Sequence, residues 1–113
     1  TLHLADAANR LGIAYLHFVD PAFNGYAAGE ALLKQAREHF GGPVIACGGM
    51  DRAKAERYLE EGLADLIGFA RAYIANPDLP ERLARDAPLS EPDPSSFYGG
   101  DASGYTDYPS LVG

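Results

Sequence analysis

Two short apolar segments, each ending in a turn, constrain the fold of this chain more than any other feature. The first segment is Val44–Cys47, and it stops at Gly48–Gly49; the second is Leu66–Phe69, and it stops at Ala70–Arg71. The residues between the two segments have the spacing of one amphipathic helix. This order predicts a β-α-β unit, in which two neighbouring parallel strands end side by side at one edge of a sheet.

That edge of the sheet is a candidate anion site. Glycine lets the backbone approach a ligand closely, backbone N–H groups attract negative charge, and a guanidinium adds a positive charge. In eight-stranded α/β barrels, the loops after the last two strands are the usual place for a phosphate. The sequence therefore predicts a phosphate site at Gly48, Gly49, Ala70 and Arg71. The alternative is two ordinary turns and a surface arginine.

The rest of the chain continues the alternation of helix and strand. Ile13–Val19 is nearly continuously apolar, as expected of a parallel strand covered on both faces. Asp51 and Asp78 are expected to cap the helices that follow them. Further helices are predicted through Leu2, Leu4, Ala5, Ala8 and Leu11, and at Tyr26–Phe40, Ala72–Asn76 and Pro80–Arg85. The whole order is that of three consecutive units of a parallel α/β fold.

Several strings in the sequence are similar to those of one enzyme family. Residues 48–56 read Gly-Gly-Met-Asp-Arg-Ala-Lys-Ala-Glu, residues 74–79 read Ile-Ala-Asn-Pro-Asp-Leu, and residues 104–109 read Gly-Tyr-Thr-Asp-Tyr-Pro. Together with Ser-Phe-Tyr-Gly-Gly at 96–100, they resemble the old yellow enzymes, a family of flavin-dependent alkene reductases. The resemblance covers nearly the whole chain, but only the last third of such an enzyme.

The resemblance implies an α/β fold that is part of a (β/α)8 TIM barrel, namely its last three strands with their helices and a C-terminal tail. Residues 1–86 would form the C-terminal part of an FMN-binding barrel, and residues 87–113 an irregular tail that packs on it. A complete barrel needs roughly 250 residues, whereas this chain has 113. We therefore expect a fragment, a processed piece or one chain of a split protein, completed by a missing N-terminal portion or a partner chain.

The resemblance also implies a function. The chain would be the C-terminal portion of an FMN-dependent oxidoreductase that reduces activated alkenes, such as enones, with NADPH or NADH. The predicted phosphate site would then hold the phosphate of FMN. One position departs from the family pattern: Ala70 stands where the family usually has glycine, and an alanine is strained there if the position needs a positive φ.

Two aromatic residues match the substrate pocket of the family. Tyr98 corresponds to a pocket tyrosine near the flavin, with packing of the tail on the barrel as the alternative. Phe23 follows a strand at the mouth of the expected barrel, where the family often has an aromatic wall; a hydrophobic loop anchor is the alternative. The resemblance assigns the catalytic residues of the family to earlier strands, so no catalytic residue is expected here and the isolated chain is expected to be inactive.

Other polar residues within the predicted strands and turns are expected to be structural. His17 lies among apolar residues of a strand, where a buried, hydrogen-bonded histidine is more common than a catalyst. Cys47 has the position of a small core residue, and Asp20 and Asp65 flank strands. Three separated histidines without paired carboxylates give no metal-ligand spacing.

Composition excludes several classes of partner. A formal net charge of -7, from 9 basic and 16 acidic residues, disfavours nucleic acid. The single cysteine excludes an internal disulfide. No apolar run approaches the length of a membrane span, so no membrane association is expected and the cytoplasm is the default location.

Two other functions stay open from the sequence. One is a different enzyme on the same scaffold, a barrel that binds another phosphorylated ligand; a flavin absorption spectrum separates it from a flavoenzyme. The other is a non-catalytic truncated half-barrel or assembly piece, which turnover by the isolated chain would exclude.

Overall fold

The computed structural model describes residues 2–20 and 29–111. Their elements follow the predicted alternation of helix and strand, and the chain divides into two compact units, Thr1–Gly68 and Phe69–Gly113. The elements are α1 (Leu2–Arg10), β1 (Leu16–Val19), α2 (Gly29–His39), β2 (Val44–Cys47), α3 (Arg52–Glu60), β3 (Leu66–Gly68), α4 (Arg71–Ala75) and α5 (Leu79–Arg85).

The first unit contains a three-stranded parallel sheet in the order β1-β2-β3. Leu16 pairs with Val44, and Cys47 pairs with Gly68, so β2 and β3 end next to each other as predicted. Each connection between strands carries a helix, which is the geometry that a parallel pairing requires. The described part of the chain is thus an open sheet of three parallel strands with its helices.

One face of this sheet forms the core of the first unit with the helices. Alternate strand residues point to this face, and they meet Ala5 of α1, Leu33 of α2 and Tyr58 of α3 in one apolar cluster. Tyr58 and Leu33 are each only 1% exposed. The strand residues in contact with the cluster are Leu16, Phe18, Val44, Ala46 and Ile67.

The opposite face of the sheet is largely exposed. His17 is exposed, and Val19 and Leu66 are each 55% exposed. The prediction of a buried His17 was wrong, as was that of a strand covered on both faces, because β1 alternates and no part of the described chain covers this side. In a closed barrel such a face points inward and meets the opposing strands.

The start of β1 also differs from the prediction. Gly12 has φ +68, and the N–H of Ile13 donates to the carbonyl of Ala8 at 3.1 Å. This left-handed helix end turns the chain through residues 13–15, so the ladder begins only at Leu16.

The predicted apolar face of α1 is only partly buried. Ala5 is buried at 2% exposure, whereas Leu4 and Leu11 are 70% and 78% exposed. A nine-residue helix presents one narrow stripe to the core, so these two leucines lie outside it. The other helices and β3 begin or end close to their predicted bounds, with residues 26–28 of the second predicted helix lying outside the described ranges.

The two predicted helix caps behave differently. Asp51 is the N-cap of α3, and its side chain accepts a hydrogen bond from the N–H of Lys54 at 2.8 Å. Asp78 occupies the N-cap position of α5 but makes no capping bond. The prediction for Asp78 was wrong because its carboxylate is engaged elsewhere, accepting from Nε of Arg82 at 2.7 Å and from the N–H of Leu111 at 2.8 Å.

Two buried polar side chains, one at the C-cap of α4 and one in α5, hold the tail in the second unit. Arg82, 5% exposed, donates to the carbonyls of Pro88 and Pro109, both at 2.9 Å. Asn76 is fully buried and both donates to and accepts from the backbone of Ser90. The tail has a 3-10 turn at 94–96 and is otherwise irregular. Hydrogen bonds from the helices therefore fix its path, while the predicted domain boundary after residue 86 stays a prediction.

Arg82→Ala is expected to lower the protection of tail amides 88–111 by about 2–4 kcal/mol, because two carbonyls and the Asp78 carboxylate lose their shared donor. Hydrogen exchange measures this loss. Arg85→Ala is the matched control, since Arg85 pairs with Glu81 at the surface and exposed pairs contribute about 0.5 kcal/mol. Equal exchange rates in both variants would contradict the conclusion that Arg82 holds the tail in place.

Asp65 joins three elements at the amino ends of the strands. Its carboxylate accepts from both terminal nitrogens of Arg37, at 2.7 and 2.9 Å, and from the N–H of Val44 at 2.9 Å. The hydrogen bonds from Arg37 and then Val44 lower the pKa of Asp65 to about 2. The expected structural role of Asp65 is thus confirmed.

Asp65→Asn is expected to lower the free energy of unfolding at pH 7 by about 1 kcal/mol, a small effect because solvent screens this half-exposed pair. Folding depresses the pKa of Asp65 from 3.8 to about 2. The stabilisation is therefore full above about pH 4 and is lost as the pH falls toward 2. Urea unfolding at several pH values measures it, and a deficit that stays constant down to low pH would contradict this assignment.

Candidate functional site

The turn after β2 has a conformation that favours glycine. Gly48 has φ +108 and Gly49 has φ +59, in the region where L side chains are strained. A side chain at Gly48 would also be crowded, since an added Cβ would lie 3.1 Å from both N and O of Asp20. The backbones of β1 and β2 therefore come together at this turn as only glycine allows.

A buried polar cluster lies against the turn. Asp20 is 3% exposed, and its N–H donates to the carbonyl of Cys47 at 2.8 Å. The ammonium of Lys54 donates to Oδ2 of Asp20 at 3.1 Å and to the carbonyl of Gly48 at 3.2 Å. The hydroxyl of Tyr58 donates to the same Asp20 oxygen at 3.3 Å. Asp20 thus has the structural role expected of it, with partners on α3.

Tyr58 takes part in this cluster as a neutral hydroxyl. Burial, followed by the negative charges of Asp20 and Glu30, raises the pKa of Tyr58 to about 12. The Lys54 ammonium lies 5.4 Å from the centroid of the same ring, within range of a cation–π contact. Sequence reasoning missed Lys54 and Tyr58; the available signal was a cation and an aromatic residue four apart on the helix after the glycine turn.

Ala70 and Arg71 belong to the second unit, and they open α4. Ala70 has φ -113 and ψ -75, so the alanine that departs from the family pattern has a negative φ and causes no backbone strain. Arg71 is exposed and is the first residue of the helix. That these two residues join Gly48 and Gly49 in one site stays a prediction.

The structure describes only one of the two aromatic candidates for the substrate pocket. Tyr98 is 92% exposed, and its ring contacts Phe97 edge-on with centroids 6.5 Å apart. Both readings of Tyr98, a role toward substrate and packing of the tail on the barrel, stay predictions. Phe23 lies outside the described residues.

Two features are absent from residues 2–20 and 29–111. Among these, no three His, Cys, Asp or Glu side chains are grouped so that they could hold a metal ion. No helix in the same ranges has the length and apolar character to cross a membrane. Cys47 is a free cysteine of intermediate burial.

Comparison with known proteins identifies the family. Residues 3–90 match the model of the NADH:flavin oxidoreductase / NADH oxidase family. Similar curated proteins include 12-oxophytodienoate reductase 2 of Arabidopsis thaliana, 40% identical over 97% of this chain and 30% of its own length. A 12-oxophytodienoate reductase-like protein of Solanum lycopersicum is 41% identical over 96% of this chain and 30% of its length.

Solved structures agree with this result. Morphinone reductase superposes with a TM-score of 0.89 at 47% identity, over 97% of this chain and 30% of that one. A variant of NCR from Zymomonas mobilis gives 0.87 at 33% identity, over 97% of this chain and 37% of that one. The chain thus spans about a third of the length of these relatives, and its three parallel strands are part of a TIM barrel. The chain belongs to the NADH:flavin oxidoreductase / NADH oxidase family, as its resemblance to the old yellow enzymes predicts.

Proposed function

We propose that this chain supplies the phosphate-binding side of an FMN site in an oxidoreductase that reduces activated alkenes, such as enones, with NAD(P)H. The observation that carries the proposal is the glycine turn, with positive φ at both residues, at the carboxyl end of β2, beside the end of β3. Family membership supports it. The similar proteins named as 12-oxophytodienoate and morphinone reductases make a reductase the favoured activity.

The donors near this edge fit a phosphate. The glycine turn lets two backbone N–H groups approach an anion without a Cβ in the way. Ala70 follows β3 with an ordinary negative φ, so its N–H is as usable as that of glycine, and Arg71 would add a bidentate, charge-assisted contact. These four residues, Gly48, Gly49, Ala70 and Arg71, would hold the phosphate and so fix the position of the cofactor.

When bound, FMN supplies the hydride chemistry, and the protein supplies binding and orientation. The residues of this chain would anchor the phosphate end and so set the depth of the flavin in the barrel. Tyr98 and Phe23 are proposed to line the substrate pocket. The 92% exposure of Tyr98 leaves its ring available to a ligand. The residues that activate the alkene are proposed to lie in the missing N-terminal portion or a partner chain, and the cytoplasmic location stays a prediction.

The proposal is tested in a chimera in which this chain replaces the aligned segment of morphinone reductase. We expect the purified chimera to oxidise NADPH anaerobically in the presence of cyclohexenone and to form the saturated ketone. A preparation without the inserted chain is the control. A folded chimera that contains a different phosphorylated ligand and no flavin would contradict the proposal and favour the other barrel function.

Arg71→Ala in the chimera is expected to weaken FMN binding by about 1.5–3 kcal/mol, the loss of one charge-assisted phosphate contact. Titration by quenching of flavin fluorescence measures this. Arg85→Ala is the control, because it also removes an exposed arginine, but from a surface pair with Glu81. Unchanged affinity in the Arg71 variant would remove this residue from the site.

A further inference from the structure

The ion pair of Asp20 and Lys54 lies directly behind the glycine turn. The ammonium of Lys54 bridges Oδ2 of Asp20, at 3.1 Å, and the carbonyl of Gly48, at 3.2 Å. The Asp20 side chain is 4% exposed and that of Lys54 24%. The end of β1, the turn after β2 and the first turn of α3 are thus joined at one cation.

Stability alone is a poor explanation of this arrangement. Removing a carboxylate and an ammonium from water costs several kcal/mol, and an apolar pair of similar volume often serves stability as well or better. Burial of such a pair is better explained by the geometry that it specifies. What it specifies here is the orientation of a single carbonyl, that of Gly48.

The direction of that carbonyl determines the direction of an N–H group. The carbonyl of Gly48 and the N–H of Gly49 belong to the same peptide, which is trans. In a trans peptide the C=O and N–H bonds point in opposite directions within one rigid plane. Because Lys54 holds the carbonyl, the N–H of Gly49 is directed away from the Lys54 ammonium. Glycine at both positions would otherwise let this peptide rotate.

We propose that Lys54 and Asp20 are positioning residues that fix the peptide between Gly48 and Gly49, so that its N–H faces the phosphate of the cofactor. This inference rests on the proposed FMN site. Lys54 acts from the carbonyl side of the peptide and does not touch the phosphate. Asp20 anchors Lys54, and Tyr58 donates a second hydrogen bond that holds the carboxylate.

The test compares FMN with riboflavin, which lacks the phosphate, in the chimera. The measured quantity is the ratio of the two affinities, obtained by fluorescence titration. Lys54→Met is expected to lower this ratio about tenfold, the equivalent of one hydrogen bond, with little change in riboflavin affinity. Because Lys54→Met leaves Asp20 buried without its cation, the double variant Asp20→Asn with Lys54→Met is measured as well, and the same loss is expected. Lys54→Arg, which keeps a donor, is expected to recover most of the ratio.

Arg37→Met is the matched control. It removes the cation of another ion pair in the same unit, Arg37 with Asp65, which lies at the amino ends of the strands. This variant is expected to lower the melting temperature while leaving the FMN-to-riboflavin ratio unchanged. A purely structural role of Lys54 predicts the same behaviour for Lys54→Met.

The outcomes separate the two proposals. A parent chimera that binds FMN no better than riboflavin overturns the phosphate site and this inference with it. A parent that prefers FMN, with an unchanged preference in the folded Lys54 variants, overturns the inference alone. If the Lys54 variants do lose the preference for FMN, Asp20→Asn alone shows the cause. A lowered preference for FMN in Asp20→Asn supports positioning. A retained or increased preference would mean that Lys54 contacts the phosphate itself, and it would overturn the inference.

Discussion

The isolated chain, mixed with FMN, NADPH and cyclohexenone, is expected to give no steady turnover. Its sheet order is β1-β2-β3, so within the described residues the outer edges of β1 and β3 have no neighbour, and unpaired edges favour association. Among residues 2–20 and 29–111, no strand opposes the sheet face that carries Val19 and Leu66, each 55% exposed, as a barrel interior would require.

The measurement is anaerobic NADPH oxidation, with product analysis, on the purified chain and on the chimera in parallel. Turnover is expected only in the chimera, and size-exclusion chromatography is expected to show the chain alone as an associated species. Saturated ketone formed steadily by the chain alone, and absent without protein, would overturn the view that it needs the rest of a barrel.

Gly48→Ala is expected to have the largest effect of any single substitution at the candidate site. The new Cβ would be placed at φ +108 and 3.1 Å from the backbone N and O of Asp20, which is closer than an ordinary van der Waals contact. Strained backbone of this kind costs about 1–3 kcal/mol before any steric contact is counted. We therefore expect FMN affinity in the chimera to fall by about 100-fold or more, together with a lower melting temperature.

Gly62→Ala separates backbone strain from crowding. Gly62 has φ +69, and an added Cβ would meet no atom within 4 Å, so this variant carries the strain alone, about 1–2 kcal/mol. It lies at the end of α3, away from the glycine turn in sequence, and is expected to leave FMN affinity unchanged. Equal flavin affinity in the Gly48 and Gly62 variants would contradict the close approach inferred at Gly48.

The β-α-β unit was predictable because its signals are local. Val44–Cys47 is observed as predicted, and β3 ends one residue early at Gly68. The start of β1 was not predictable from apolar character alone, since the left-handed Gly12 turns the chain until Leu16. His17 was assigned to the core because the strand reads as apolar on both sides. Burial of its second face would need opposing strands, which the described residues do not include.

The candidate site was predictable only in part for a similar reason. A double glycine after a strand indicates a tight turn, and both glycines have positive φ. The partners behind the turn were missed because Asp20 and Lys54 are 34 positions apart in the sequence. No local pattern pairs two such residues; the pairing follows from the parallel register of β1 and β2 together with the packing of α3.

Titration of the flavin-free chimera with FMN, followed by quenching of flavin fluorescence, tests the central claim most directly. We predict one saturable site per chain, with an affinity close to that of intact morphinone reductase, and a loss of about 1,000-fold or more when Gly48→Ala and Arg71→Ala are combined. FMN binding that is unchanged in this double variant, or that is absent from the folded chimera, would contradict the assignment of the phosphate-binding side of the flavin site to this chain.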